Sequence, residues 1–190
     1  MNKPLFLFVG KSASGKTTIA NILEQQYGHK QVNSYTTRTP RYDGEIGHVF
    51  VTEEEFKALG DMVAYTFYNN NHYGTTAEQL DQCSIYVVDV PGVKTLLENY
   101  KSNRHIILIY FDTTVYTRIN RMIDRGDSDM AIISRLLQDE KDDWLKQLDR
   151  LAWHYDRIAG KNVDLYSIDA NGSEASVLEI VKYYMEGNQW

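Results

Sequence analysis

The chain has 190 residues, 43% of them hydrophobic, enough to bury one sizeable core, and its length predicts a single domain with at most a small inserted lobe. A formal net charge of -6 with no basic stripe argues against nucleic-acid binding and against an anionic membrane surface, leaving small molecules as the expected partners. Cys83, the single cysteine, rules out an internal disulfide and reads as a buried thiol, and the first apolar run is far too short for a signal or membrane segment, so a cytoplasmic protein is expected.

Leu5–Val9 is continuously apolar, as a strand covered on both faces of a parallel sheet would be. Gly10-Lys11-Ser12-Ala13-Ser14-Gly15-Lys16-Thr17 follows it and leads into Thr18, Ile19, Ala20, Ile22 and Leu23, giving strand, glycine-cornered loop and helix. That is the spacing and context of a phosphate-binding loop. Its glycines let the backbone N–H groups point inward around a phosphate, and the helix adds its positive end. Ser12, Ala13, Ser14, Gly15, Lys16, Thr17 and Thr18 are therefore candidate ligands for nucleotide phosphates. Lys16 is placed to reach the β- and γ-phosphates, and the Thr17 hydroxyl is a candidate for Mg²⁺.

The first helix is expected to end near Gly28, with a short strand at 31–34 and a polar loop at 35–44 that carries Arg38, Pro40 and Arg41. A strand at 49–52 runs into a capping box, Thr52 with Glu55, that should open a helix bearing Phe56 and Leu59. A strand at 62–67, a turn at Asn69-Asn70-Asn71 and His72-Tyr73-Gly74-Thr75 lead to a helix near Ala77–Asp81, so this middle stretch reads as a lobe inserted in the main sheet. A second core strand at 85–90 carries Asp89 near its C-terminal end, where open α/β sheets hold ligands, and Pro91 and Gly92 close it. Helix 93–100, strand 106–111 and helix 114–123 follow, the last with Arg118, Arg121 and Arg125 at helical spacing. Gly126-Asp127-Ser128-Asp129 interrupts that helix, and a long charged helical pattern then runs from Asp129 to about Ala159. The acidic run 139–143 within it reads as a solvated face, and Trp144, Trp153 and Tyr155 as packing aromatics. A last strand at 165–168, a turn at Asn171-Gly172-Ser173 and a helix to about Met185 complete an α/β chain, a P-loop NTPase-type parallel sheet wrapped by helices.

The phosphate loop indicates a nucleotide without choosing a reaction. The choice comes from Ser34-Tyr35-Thr36-Thr37-Arg38-Thr39-Pro40-Arg41, then Gly44-Glu45, Phe50-Val51-Thr52 with Glu55-Phe56, Tyr73-Gly74-Thr75, Arg121, Arg125-Gly126 and Arg135-Leu136. In this order and combination, from Leu5 to about Leu136, the chain resembles the guanylate kinase family. The resemblance implies transfer of the γ-phosphoryl group of ATP, with Mg²⁺, to a nucleoside monophosphate, GMP or dGMP by default. It implies one domain with a core of about 1–33, 83–117 and 140–190, an acceptor-binding lobe of about 34–82 and a helical lid of about 118–139. Lys16, Arg38, Arg121, Arg125 and Arg135 become the candidate catalytic residues. Ser34, Arg38, Arg41 and Tyr73 would hold the acceptor phosphate, Arg121 and Arg125 would close over ATP, and Arg135 would bridge donor and acceptor, with alignment of Arg135 a second reading of the acidic run that follows it. Arginine suits each task because its planar guanidinium makes several oriented contacts to phosphate. Arg118, outside the motif, reads as a surface charge. Asn171 corresponds to an adenine-side asparagine. Asp89 is a candidate to assist Mg²⁺ through water or to contact the acceptor base, and reads nearly as well as a helix cap.

The chain departs from the family's pattern in four places. Ala64 stands nine residues before Tyr73, where a glutamate is expected to read guanine, which leaves Thr75, and side chains such as Tyr65, Tyr68 or Asn71, to contact the base. Val87 replaces an acidic residue, His48 falls where a phosphate-binding tyrosine is expected, and the segment 41–50 is short. A methyl group accepts no hydrogen bond, so base discrimination is the property these changes touch. The alternatives are a kinase of another nucleotide or a phosphorylated sugar, and a non-catalytic binding module, against which Lys16, Thr17 and the lid arginines argue.

Overall fold

The computed structural model describes residues 3–40 and 43–187. β1 (Leu5–Val9) is buried at every residue and pairs in parallel on both sides, with β6 (Ile85–Val87) and β7 (Ile106–Asp112). β8 (Val163–Asp169) adds in parallel beyond β7, so the central sheet runs β6-β1-β7-β8. Alternation along β1 divides the core. Leu5, Leu7 and Val9 face one layer containing α4 (Val90–Asn99) and α7 (Trp144–Arg157), while Phe6 and Phe8 face α1 (Lys16–Tyr27) and α8 (Glu174–Glu186). With helices on both faces, every strand position must be apolar, which is why β1 shows no polar alternation.

A second, mixed sheet is built from residues 34–75. β2 (Ser34–Thr36) pairs in parallel with β3 (His48–Phe50) and antiparallel with β5 (Asn71–Thr75), which in turn pairs with β4 (Ala64–Tyr68). α2 (Glu53–Ala58) begins at the capping box, with both reciprocal bonds formed between Thr52 and Glu55, and α3 (Ala77–Asp81) at a second box, Thr76 with Gln79. This sheet is tied to the central layer through α4: Thr95 Oγ1 donates to the Tyr65 carbonyl at 3.2 Å and Thr66 Oγ1 to Asp89 Oδ1 at 2.6 Å. α5 (Val115–Asp124) and α6 (Asp129–Asp139) follow β7, with the break at Gly126, whose φ of 82° favours glycine.

Three expectations are corrected. The strand at 31–34 is a single bridge, Gln31 to Ile85, and regular pairing starts only at Ser34. The strand at 85–90 stops at Val87 because Asp89 caps α4, so Pro91 and Gly92 lie in that helix's first turn rather than closing a strand. The long pattern from Asp129 to Ala159 is two helices, since Asp143 accepts from the Lys146 N–H at 3.1 Å and starts α7 afresh. Trp144 and Tyr155 pack against the core as expected, but Trp153 is 61% exposed on the outer face of α7. Cys83 is buried, its thiol donating to the Gln31 carbonyl at 3.4 Å.

One polar group in the core had no sequence signal. The buried Arg104 guanidinium donates to the carbonyls of Lys3, Pro4, Leu80 and Cys83 at 2.7–2.8 Å, stapling the start of β1 to the approach of β6. Among the described residues no helix is long and apolar enough to cross a membrane.

Candidate functional site

The loop between β1 and α1 crosses the end of β7 so closely that a Cβ at Gly10 would lie 2.8 Å from Ser14 Oγ and 2.9 Å from the Phe111 carbonyl, which only glycine avoids. Gly15 has φ 96° ahead of α1, and Ala13 has φ 60°, a left-handed conformation that alanine adopts at a cost of about 1–2 kcal/mol. Lys16 is folded against its own loop, donating from Nζ to the carbonyls of Gly10 (2.5 Å) and Lys11 (2.9 Å) and to Ser14 Oγ (3.0 Å). Burial lowers its pKa to about 8, with Arg118 acting in the same direction and the carboxylates of Asp139 and Asp89 opposing.

Two cavities meet at Lys16. One, of about 440 Å³, is lined by the loop and α1 from Ala13 to Ile19, with Arg121 and Arg125 opposite. The other, of about 400 Å³, lies between the two sheets, and its wall includes Ser34, His48, Tyr73, Asp89, Arg135 and Asp139. Ser12 lines the second cavity, and Ala13, Ser14, Gly15, Thr17 and Thr18 line the first, so the loop separates them.

In the inter-sheet cavity Ser34 Oγ and His48 Nδ1 are 2.9 Å apart, and the His48 ring lies edge-on to Tyr73 with centroids 5.8 Å apart. Arg38 is held by Glu45 through two bonds of 3.0 and 2.9 Å and stacks over Phe50, with its Nε buried and without a hydrogen-bond partner among the described residues. Arg41 lies outside the described residues. Ala64 and Thr75 register with each other and are both fully buried, beneath the cavity rather than on its wall. Asp89 Oδ1 accepts from the Gly92 N–H at 2.8 Å as well as from Thr66, so this side chain both caps α4 and faces the cavity, and burial raises its pKa. A Cβ at Gly92 would sit 3.0 Å from that same carboxylate oxygen and 2.5 Å from Val88 Cγ2.

On the other side, Arg121 donates from Nη2 to the carbonyls of Ala170 (2.8 Å) and Gly172 (3.0 Å). Arg125 pairs with Asp127, and Arg135 Nε lies 3.7 Å from the same carboxylate. Arg121 and Arg125 therefore face the loop-side cavity, and Arg135 the inter-sheet one. The Asn171 amide is committed to local structure, Oδ1 accepting from the Thr114 N–H and Nδ2 donating to Asp169.

Two readings of charge are overturned here. Arg118 is not a surface residue: it is 0% exposed, with Nε donating to the Ser12 carbonyl at 3.0 Å, Nη2 to Asp139 at 3.0 Å and Nη1 to Glu140 at 2.8 Å. The run 139–143 is not simply solvated, since Asp139 is buried and accepts from the Ser12 N–H at 2.8 Å, and Glu140 accepts from Lys11 Nζ at 2.7 Å. The available signal was spacing. Arg118 precedes Arg121 by one turn of α5, and the Asp139-Glu140 pair follows Arg135 by one turn of α6.

For magnesium, the donor set fits an ion carried by nucleotide phosphates. Thr17 offers an exposed hydroxyl at the start of α1, and Asp89 a carboxylate near Lys16. Among the described residues no group of three or more acidic, His or Cys side chains could hold a metal unaided.

No family model matches the chain. Curated relatives include the guanylate kinase of Protochlamydia amoebophila, 29% identical over 143 residues (70% of this chain, 72% of that protein). That of Fusobacterium nucleatum is 28% identical over 189 residues (88% and 96%). Among solved structures, the guanylate kinase from Anaplasma phagocytophilum superposes with a TM-score of 0.57 over 99% of this chain and 87% of that one, at 19% identity, a likeness of fold.

Proposed function

We propose that this chain is a guanylate kinase-like enzyme, as its likeness to curated guanylate kinases at 28–29% identity suggests, and that it transfers the γ-phosphoryl group of ATP to the phosphate of a nucleoside monophosphate, GMP or dGMP by default. The observation that carries the reading is that Lys16 lines both cavities, so one ammonium can reach phosphates entering from either side. ATP would occupy the loop-side cavity, its phosphates against the stretch from Ala13 to Thr18 that lines it, the Ser12 N–H being held by Asp139, with Arg121 and Arg125 above and Asn171 toward adenine. The monophosphate would enter between the sheets, its phosphate held by Ser34, His48, Tyr73, Arg38 and Arg41 and its base directed at Thr75 and Asp89. Residues 34–82 then serve as the acceptor lobe and 118–139 as the lid.

Little acid–base work is needed. Catalysis rests on aligning two anions and neutralising the charge that spreads over the transferred group, which is the task of Lys16 and Arg135. Mg²⁺, bound with ATP beside Thr17 and Asp89, would screen phosphate charge. The lid excludes water that would otherwise compete as acceptor. The lone buried thiol accords with a reducing cytoplasm. Ala64 leaves the guanine edge without its expected carboxylate, so a different nucleotide acceptor is the second reading.

ADP production from ATP and Mg²⁺, with each ribo- and deoxynucleoside monophosphate offered separately, tests this. Stimulation by GMP or dGMP alone is expected. Stimulation by another monophosphate moves the acceptor and keeps the reaction, and stimulation by none overturns the assignment.

A further inference from the structure

Two charged side chains from outside the phosphate loop, Arg118 and Asp139, engage the backbone of Ser12, and Glu140 and Lys11 complete a charged cluster around them. The Ser12 N–H donates to Asp139 and the Ser12 carbonyl accepts from Arg118, so both polar groups of this residue are engaged from outside the loop. Arg118 bridges the two acids, Asp139 and Glu140, and Lys11 closes the circuit on Glu140. Arg118 and Asp139 are buried, where a charge left unpaired is costly, so these two residues act together. Asp139 ends α6, and Arg135 lies one turn earlier on the same helix, lining the cavity into which Ser12 and Lys16 also project.

We propose that Arg118, Asp139 and Glu140 form a latch that fixes the C-terminal end of α6 to the phosphate loop and thereby sets the position of Arg135 over the junction of the two cavities. The inference rests on the phosphoryl-transfer reading for its consequence, but not for its existence. Arg118 and Asp139 are positioning residues: they touch the loop backbone and each other and act on the reaction through Arg135. Residual contact at Glu140 and Lys11, nearer solvent, can break without stranding a buried charge, which makes that side the end from which the latch opens.

The test combines amide hydrogen exchange on the unliganded protein with steady-state kinetics for D139N, R118K and the double variant. D139N keeps the shape of the side chain and leaves Arg118 paired with Glu140, so it is the variant least disposed to unfold. Exchange over residues 129–139 should rise by about tenfold or more while β1 and β7 keep their protection. The kcat should fall by about ten- to a hundredfold with KM for ATP changed by less than about threefold, as misplacement of a group acting in the transition state requires. The double variant should lose no more than about threefold beyond the worse single one, since the two residues act as one unit. Unchanged exchange in α6, an unchanged kcat in a folded D139N, or losses that multiply in the double variant would each overturn the proposal. If the wild-type chain turns over no acceptor, the phosphoryl-transfer reading fails with the positioning role, and exchange alone decides whether the latch exists.

Discussion

At the scale of single residues, Lys16 carries the sharpest prediction. In the unliganded protein burial holds its pKa at about 8, well below the ordinary 10.5. Bound phosphate favours the charged form, so ATP binding at pH 8.5 should take up roughly three-quarters of a proton, and affinity should fall as pH rises above about 8. Calorimetric titration in two buffers of different ionisation enthalpy measures that uptake, and Lys16→Ala should abolish it; binding without proton uptake in the wild type would contradict the shift. The stability sign runs the other way. Because the unfolded chain holds the lysine proton more tightly, the unliganded protein should gain stability as pH rises from about 8 toward 10.5. The loop itself was legible in the sequence, since glycine spacing between an apolar run and a helix follows from local backbone geometry. Arg118 was not, because a residue's burial depends on what a distant segment brings to it, here Asp139 and Glu140 some twenty positions on.

At the scale of elements, the β4–β5 hairpin offers a test of turn chemistry. Tyr68 registers with Asn71, leaving a two-residue loop in which Asn69 and Asn70 have φ of 48° and 56°. Both central residues are left-handed, as a type I′ turn demands. Asn70→Gly should raise the unfolding free energy by about 0.5–1 kcal/mol, and Asn70→Val should lower it by about 1–2 kcal/mol. Urea denaturation midpoints read both, and a stabilising valine would refute the turn assignment. Caps and turns of this kind were the most legible parts of the chain: the Thr52–Glu55 box and the ends of α1 and α3 lie where local chemistry puts them. Extents were less legible where one side chain had two plausible uses. Asp89 reads as the end of a strand or as a cap, and the structure gives it to α4, shortening β6. In 129–159 the charge pattern continued through a break that Asp143 imposes.

At the scale of the whole molecule, parallel order follows from strands alternating with helices, and the chain folds as that alternation requires, with a second sheet inserted between β1 and β6. The consequence is geometric. The phosphate loop stands between a cavity on the α1 side and a cavity roofed by the inserted sheet, and the arginines divide between them, with Arg121 and Arg125 on one side and Arg135 on the other. What the sequence pattern alone did not disclose was the junction, because it depends on how α6 lies against the loop. The central claim is that a phosphoryl group crosses that junction. The measurement that tests it most directly follows the label from γ-³²P-ATP in the presence of Mg²⁺ and GMP, with Lys16→Ala alongside. Label appearing in GDP, and lost with Lys16→Ala, is the predicted result. Label released only as inorganic phosphate, at a rate that GMP does not alter, would contradict it.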